Sequence, residues 1–270
     1  MNKRDFIKRA GLLSAGVAVS AMPTAAQALD IPAWLMRAVL GNGILGVVPF
    51  GCHATKKIAI RQAIPAQRMA LYRELLPKQF EIHAEPSIYV YFIEFSDSYP
   101  VPGAPSLEAS VLIRAVYKGD TKNDAKKGGW FPLTMPVSNQ FALQAGLPFG
   151  YPKHMAQMAA TFSFDGSNGT ITRNGLPEFN IDWKPANVDV PNIADEASDM
   201  PIYLLDKNGC VNIVENVIRE MTSHECRTGN INLHIDTQDP WTKLFGGPDV
   251  RGPGTVTMEK GTFDMVRRSR

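Results

Sequence analysis

The chain's most reactive setting is the stretch Leu147-Pro148-Phe149-Gly150-Tyr151-Pro152-Lys153-His154-Met155-Ala156, where one lysine stands among aromatic and aliphatic residues. Exposed lysines ordinarily sit among polar neighbours. A lysine placed here is either a stem lying along apolar surface with its head in water, or an amine held in a dry pocket to attack a carbonyl carbon. The second use forms a Schiff base and needs the amine neutral. An ordinary lysine titrates near 10.4, so a depression of roughly three to four units would recover nearly all of the neutral form at pH 7. Burial among residues such as Phe149, Trp130, Phe131 and Met135 supplies one cause, and a neighbouring cation supplies another.

Two other patterns invite chemistry and are set aside. His224, Cys226, His234 and Asp236 include pairs two residues apart, which share a strand face, but the spacing is not a zinc signature. They read as histidine and cysteine on strands without a metal. Gly41, Gly43 and Gly46 match G-x-G-x-x-G, a pattern that works only between a strand and a helix. Pro49 and Gly51 oppose the helix, so a flexible turn is expected and no cofactor. Cys52, Cys210 and Cys226 are too few to form a disulfide framework. Three buried thiols are expected, with Cys210 and Cys226 the pair best able to oxidise.

The elements that must position these residues are mostly strands. Met69, Leu71, Tyr72, Leu75 and Leu76 recur at helical spacing over 66–77, with Pro77 as the stop. Residues 86–95 and 108–120 are rich in β-branched and aromatic residues and predict strands, followed by a polar loop carrying Lys118, Lys122, Lys126 and Lys127. Residues 130–143 continue the β pattern toward a short helix near Phe141 that ends at Gly146. Asp165-Gly166 and Asn168-Gly169 signal hairpin turns, 177–199 reads as a Pro- and Asp-rich excursion, and 202–206, 211–221, 231–236 and 254–266 alternate as strands. No internal repeat is present. The expected class is mainly β (α+β): an antiparallel sheet closing into a barrel-like core with a few flanking helices.

In this order the motifs resemble the acetoacetate decarboxylase family. Its reactive lysine follows an aromatic-proline pair, as here in Tyr151-Pro152-Lys153-His154. Its preceding helix ends in two aliphatic residues and Pro, matched by Leu75-Leu76-Pro77. A Glu-Pro strand start is matched by Glu85-Pro86, a glutamate opening a strand by Glu108, and a downstream Thr-Gly by Thr228-Gly229. The ordered set runs from about residue 58 to the C-terminus.

The resemblance implies that Lys153 forms an iminium with a small 3-oxo acid and that Glu108 is the active-site carboxylate. It implies a substrate pocket involving Tyr91, Phe149, Tyr151 and Trp130, no metal or other cofactor, and a homo-oligomer. The family's second lysine is His154 here, the expected modulator of the amine's pKa, and a histidine carries less positive charge at pH 7 than a lysine. Adjacent side chains on a strand point to opposite faces, so the neighbour need not approach the amine. A second family glutamate falls by count on Tyr91, and a substrate-facing arginine falls on Ile58, beside Lys57.

Composition limits the remaining choices. A formal net charge of +2 over 270 residues gives no basic excess for tracking phosphates, which argues against nucleic acid as a partner. Residues 1–28 have a basic start, a mildly apolar stretch from Ala10 to Met22 and the ending Ala26-Gln27-Ala28, which together read as a signal peptide similar to the twin-arginine kind. The expectation is export to the periplasm or beyond, and one domain over 29–270 with no membrane span after cleavage. Three functions compete: a Schiff-base decarboxylase of a 3-oxo acid, an aldolase or dehydratase using the same iminium, and a non-catalytic binder of a small ligand.

Overall fold

Strand parity, the two-residue alternation of side chains, decides where every functional group of this protein lies. The computed structural model describes residues 47–48, 54–96, 105–119, 128–189, 200–206 and 208–267. The signal-like segment, the glycines at 41–46, Cys52, and Lys122, Lys126 and Lys127 lie outside the described residues. In chain order the elements are β1 (Val47–Val48), β2 (Ala54–Ala63), α1 (Met69–Leu75), β3 (Phe80–Ile82), β4 (Ser87–Ser96), β5 (Ser106–Tyr117) and β6 (Gly129–Val137). There follow α2 (Gln140–Gly146), β7 (Lys153–Met155), β8 (Gln157–Thr161), β9 (Ser167–Arg173), β10 (Leu176–Pro185), β11 (Ile202–Leu205), β12 (Val211–Ile235) and β13 (Asp249–Arg267). No helix among the described residues is long and apolar enough to cross a membrane.

Among the described residues all thirteen strands belong to one sheet, in the order β1-β13-β2-β4-β5-β6-β11-β12-β10-β9-β8, with β3 added on β5 and β7 on β6. The mainly-β expectation holds, and two parts of it need correction. The sheet is mixed, because β7 and β11 both pair with β6 in parallel. Nor does the sheet as a whole close into the antiparallel barrel-like core expected. Its path keeps free ends at β1 and β8, and β12 branches, pairing with β11, β13 and β10 along successive parts of its length. The physical reason is the length of β12. The two strands expected at 211–221 and 231–236 are one strand of 25 residues, too long for a single neighbour.

Cross-strand partners share a face, so the register defines two surfaces. On one lie Ile58 and Ile60 of β2, Val90 and Phe92 of β4, and Ala109, Val111 and Ile113 of β5, all within 1% of full burial. They form the main core with Phe179, Ile181 and Trp183 of β10 and with Tyr72 of α1, whose hydroxyl donates to the Arg114 carbonyl. The other face carries Lys57, Ala59 and Arg61, then Tyr89, Tyr91 and Ile93, then Glu108, Ser110, Leu112 and Arg114. A register shift in β6 sets Leu112 opposite Pro132 and Val111 opposite Thr134, leaving Leu133 as an extra residue. That bulge turns both Trp130 and Met135 to this second face despite their opposite parity.

The remaining elements refine the sequence reading. The helix of 66–77 is a 3-10 turn at Ala66–Arg68 running into α1, and α2 is capped by the Asn139 side chain, which accepts from Ala142 N at 2.8 Å and leads to the expected end at Gly146. The excursion begins instead as strand β10, since Phe179, Ile181 and Trp183 alternate inward. Asn168-Gly169 lies within β9 and is not a turn. Glycine is required there because a Cβ on residue 169 would meet the Phe92 ring at 2.6 Å. Cys210 and Cys226 are free and exposed rather than buried, one ending a turn after Asp206 and the other on the exposed stretch of β12.

Gly229 marks where β12 is paired on both sides, with Pro185 of β10 and Gly254 of β13. A Cβ there would meet the Lys184 carbonyl at 2.2 Å and Trp183 Nε1 at 2.5 Å. Gly229→Ala therefore lowers stability by about 1–3 kcal/mol, the cost of forcing an atom into packed backbone. Thermal unfolding reads this directly, and a melting temperature equal to wild type would show that the crossing is looser than described.

Candidate active site

Lys153 is delivered by a sequence of short, constrained steps. After α2, residues 147–149 make a 3-10 turn and Gly150 takes a left-handed conformation at φ 93°, with the Leu205 carbonyl 2.3 Å from where a Cβ would stand. The chain then enters β7, whose register sets Lys153 beside Met135 and Met155 beside Val137. Gly146 clears the path of the lysine stem. A Cβ at residue 146 would meet Lys153 Cδ at 2.5 Å and Cε at 2.7 Å, so the side chain lies against the end of α2.

The amine points across β6 to β5. Lys153 Nζ donates to Glu108 Oε2 at 2.7 Å, with the two side chains only 10% and 9% exposed. The other carboxylate oxygen accepts from the Tyr91 hydroxyl at 3.0 Å. Tyr151 lies beneath the amine, its ring centroid 5.3 Å from Nζ. Burial and then the Glu108 charge hold the Tyr91 phenol well above the ordinary tyrosine value, and the same two causes raise Tyr151. Both are therefore neutral at physiological pH, and Tyr91 remains a hydrogen donor to the carboxylate.

The structure thus brings Lys153, Glu108, Tyr91 and Tyr151 together. Two other expected pocket residues stand one layer back. Phe149 is buried edge-on to Tyr151, with centroids 6.4 Å apart, and its carbonyl accepts from Asn212 Nδ2. Trp130 packs on Tyr89 at 5.3 Å, in a small cluster with Ala59, Leu112, Met200 and Tyr91. His154, expected as the neighbour that modulates the amine, is not its neighbour. Strand alternation turns it to the opposite face, where Nε2 lies 3.3 Å from Glu178 Oε2.

Counting along the chain missed Lys57. The count fell on Ile58, which faces the main core and is fully buried, whereas the side chain on the site face is Lys57. Burial alone would lower its pKa, but the Tyr89 hydroxyl, the Glu259 carboxylate and the Cys226 thiol outweigh burial and hold it above the ordinary value. Strand parity relative to Tyr89 and Tyr91 was the available signal. The four residues weighed as a metal set divide between two places. His224 contacts Glu259, His234 lies between Asp249 and Asp236, and no metal-binding group occurs among the described residues.

Chemically, a buried amine whose nearest partner is a carboxylate can pass its proton to that partner and attack a carbonyl in a pocket with little water. Buried tyrosines make the dryness of the site face and of the core behind it measurable. Tyr72, Tyr89, Tyr91 and Tyr151, four of the seven tyrosines, are all raised, with burial the largest cause in each. A raised folded-state value means stability that is whole below pH 10 and is lost as pH climbs from there toward the folded values. In an absorbance titration these four should ionise only together with alkaline unfolding. Seven tyrosines titrating near pH 10 in the folded protein would contradict the buried site.

Comparison with known proteins agrees with this architecture. A solved acetoacetate decarboxylase superposes with a TM-score of 0.60 at 18% identity, covering 83% of this chain and 91% of that one. The acetoacetate decarboxylase of Legionella pneumophila gives 0.60 at 14% identity, covering 91% and 98%. The enduracididine biosynthesis enzyme MppR, solved with pyruvate, gives 0.55 at 13% identity, covering 85% and 93%. At these identities the likeness is one of fold. No curated protein sequence matches significantly. The family model for acetoacetate decarboxylase matches residues 68–245, a span that contains Glu108 and Lys153, and the chain belongs to the acetoacetate decarboxylase family.

Proposed function

We propose that this protein is a Schiff-base-forming decarboxylase of a small 3-oxo acid, with Lys153 as nucleophile and Glu108 as its proton partner. The observation that carries the reading is the 2.7 Å contact between Lys153 Nζ and Glu108 Oε2 in a nearly water-free setting. Glu108 takes a proton from the ammonium, the freed amine attacks the ketone carbon to give a carbinolamine, and Glu108 returns the proton to the carbinolamine hydroxyl, which leaves as water to give the iminium. The bond to the carboxylate carbon then breaks. Its electron pair moves toward the iminium nitrogen as carbon dioxide departs, leaving an enamine. Protonation of the enamine carbon and attack by water release the ketone and return the amine. Lys57 offers the fixed cation for which the resemblance led one to expect arginine, on the same face of the sheet. Residues 29–270 are read as an exported domain that assembles with copies of itself, on the strength of the sequence of residues 1–28 and of the family.

A second reading keeps the iminium and omits decarboxylation. It is favoured by Tyr91, a neutral donor where the family's second glutamate was expected, and by the structural neighbour solved with pyruvate.

Borohydride reduction after incubation with a panel including acetoacetate, longer 3-oxo acids and pyruvate tests both. The expected result is a stable adduct on Lys153, absent in Lys153→Ala, with Lys56 and Lys57 unmodified. Release of carbon dioxide from a 3-oxo acid supports the first reading. An adduct without it supports the second, and labelling spread over surface lysines returns the protein to the class of simple binders. Glu108→Gln lowers turnover by more than it lowers adduct formation, because the later steps also require a proton to be moved. Equal losses in the two would remove Glu108 from those steps.

A further inference from the structure

The reverse face of β7 carries a second buried pair that the proposed chemistry does not use. Glu178 is 1% exposed in its side chain, and one of its oxygens lies 3.3 Å from His154 Nε2. The strand register between β9 and β10 breaks at this residue, with Pro177 opposite Thr172 and Phe179 opposite Ile171. Glu178 is thus the extra residue of a β-bulge, a device that re-aims one side chain without moving the strand. Its backbone is fixed as well, since its carbonyl accepts from Asp236 N at 2.9 Å and Thr237 N at 3.2 Å. Arg173 is a cation near the carboxylate, at 3.7 Å from Oε1, and it is shared with Asp239 at 3.0 Å. Oε1 itself is buried without a hydrogen-bond partner.

A buried carboxylate so placed is costly unless a partner holds it, and the partner is the residue next to Lys153. The strand that carries both residues is only three residues long, and its register with β6 spans three residue pairs. Such a strand is weakly fixed by its own ladder. A contact on one face restrains the side chain that leaves the other.

We propose that His154 and Glu178 are positioning residues: their contact holds β7 in the register and twist that aim Lys153 at Glu108. For the consequence in turnover this rests on the Schiff-base reading above; for the placement of the amine it does not. A displacement of the order of 1 Å at a reacting atom costs up to about a hundredfold in rate, so a modest loosening of β7 suffices for a large effect.

The test measures the Lys153 amine in two ways. One is the rate of reducible adduct formation with the best oxo acid of the panel. The other is reductive methylation by formaldehyde and cyanoborohydride, read at Lys153 relative to exposed Lys184 by peptide mass. His154→Leu and Glu178→Gln should each slow adduct formation by about tenfold at saturating oxo acid, with the half-saturating concentration changed by less than about twofold. Each should raise relative methylation of Lys153 by at least about threefold, because the amine leaves its carboxylate for water. The double variant should be no worse than either single one, since both remove the same contact. His154→Lys, which restores a hydrogen-bond donor to Glu178, should behave as wild type in both assays. Wild-type behaviour of His154→Leu, additive losses in the double variant, or effects that merely follow the melting temperature and are not rescued by His154→Lys would each overturn the proposal. If wild type forms no oxo-acid adduct while methylation shows the coupling and its rescue, the positioning role stands and the Schiff-base reading falls.

Discussion

A lysine and a glutamate 2.7 Å apart, each with about nine-tenths of its side chain out of water, form the constraint around which the rest of this structure is arranged. Removing two charges from water costs several kcal/mol per ion, and their attraction offsets this only with good geometry and with the remaining oxygens satisfied. Tyr91 satisfies the second oxygen of Glu108. The geometry comes from placing the two partners on very different supports. Glu108 stands on β5, hydrogen-bonded to β4 and β6 on its two sides. Lys153 stands on a three-residue strand, reached through a capped helix and a left-handed glycine, with its stem packed against Gly146.

Supporting such a pair requires a sheet that separates two environments a few ångströms apart. The core face of β2, β4 and β5 is aliphatic and aromatic, and the site face carries charged and phenolic groups at the alternate positions. A one-residue slip of β2 would turn Lys57 into the main core, and one of β5 would turn Glu108 and Arg114 there, so the pattern also fixes the register. Bulges then adjust individual side chains. The one at Leu133 brings Trp130 and Met135 to the same face, and the one at Glu178 sends a carboxylate inward beneath β7.

This division explains which features were legible in the sequence. Strands β4, β5 and β6, helix α1 with its stop at Pro77, and the end of α2 at Gly146 follow from local periodicity and breakers, which sequence displays directly. The approach of Glu108 to Lys153 joins residues 45 apart and rested on resemblance, because no local rule connects β5 to β7. Strand alternation raised the possibility that His154 faces away, but that it meets Glu178 depends on a bulge, and bulges leave little trace in the local pattern. Lys57 was missed by one residue, the distance at which parity reverses. The single long strand β12 was read as two because its middle, from Met221 to Arg227, is exposed and polar, as a loop would be.

A tyrosine at position 91, where the resemblance led one to expect a second carboxylate, bears on the chemistry proposed for the site. Burial and the Glu108 charge keep that phenol neutral, so among the described residues one carboxylate faces one amine, and the pair is close to electrically balanced before any substrate enters. Under the proposed reaction the ammonium becomes an iminium, and Glu108, which gives its borrowed proton to the hydroxyl that leaves as water, is a carboxylate again, so the pair carries the same charge before and after. The substrate's own carboxylate is then the additional negative charge, lost when its carbon–carbon bond breaks and carbon dioxide departs. A second carboxylate at Tyr91 would add repulsion to that ground state and to the approach of the acid alike. A phenol at that position instead donates to the Glu108 carboxylate, and Lys57, Tyr89 and Trp130 occupy the same face of the sheet.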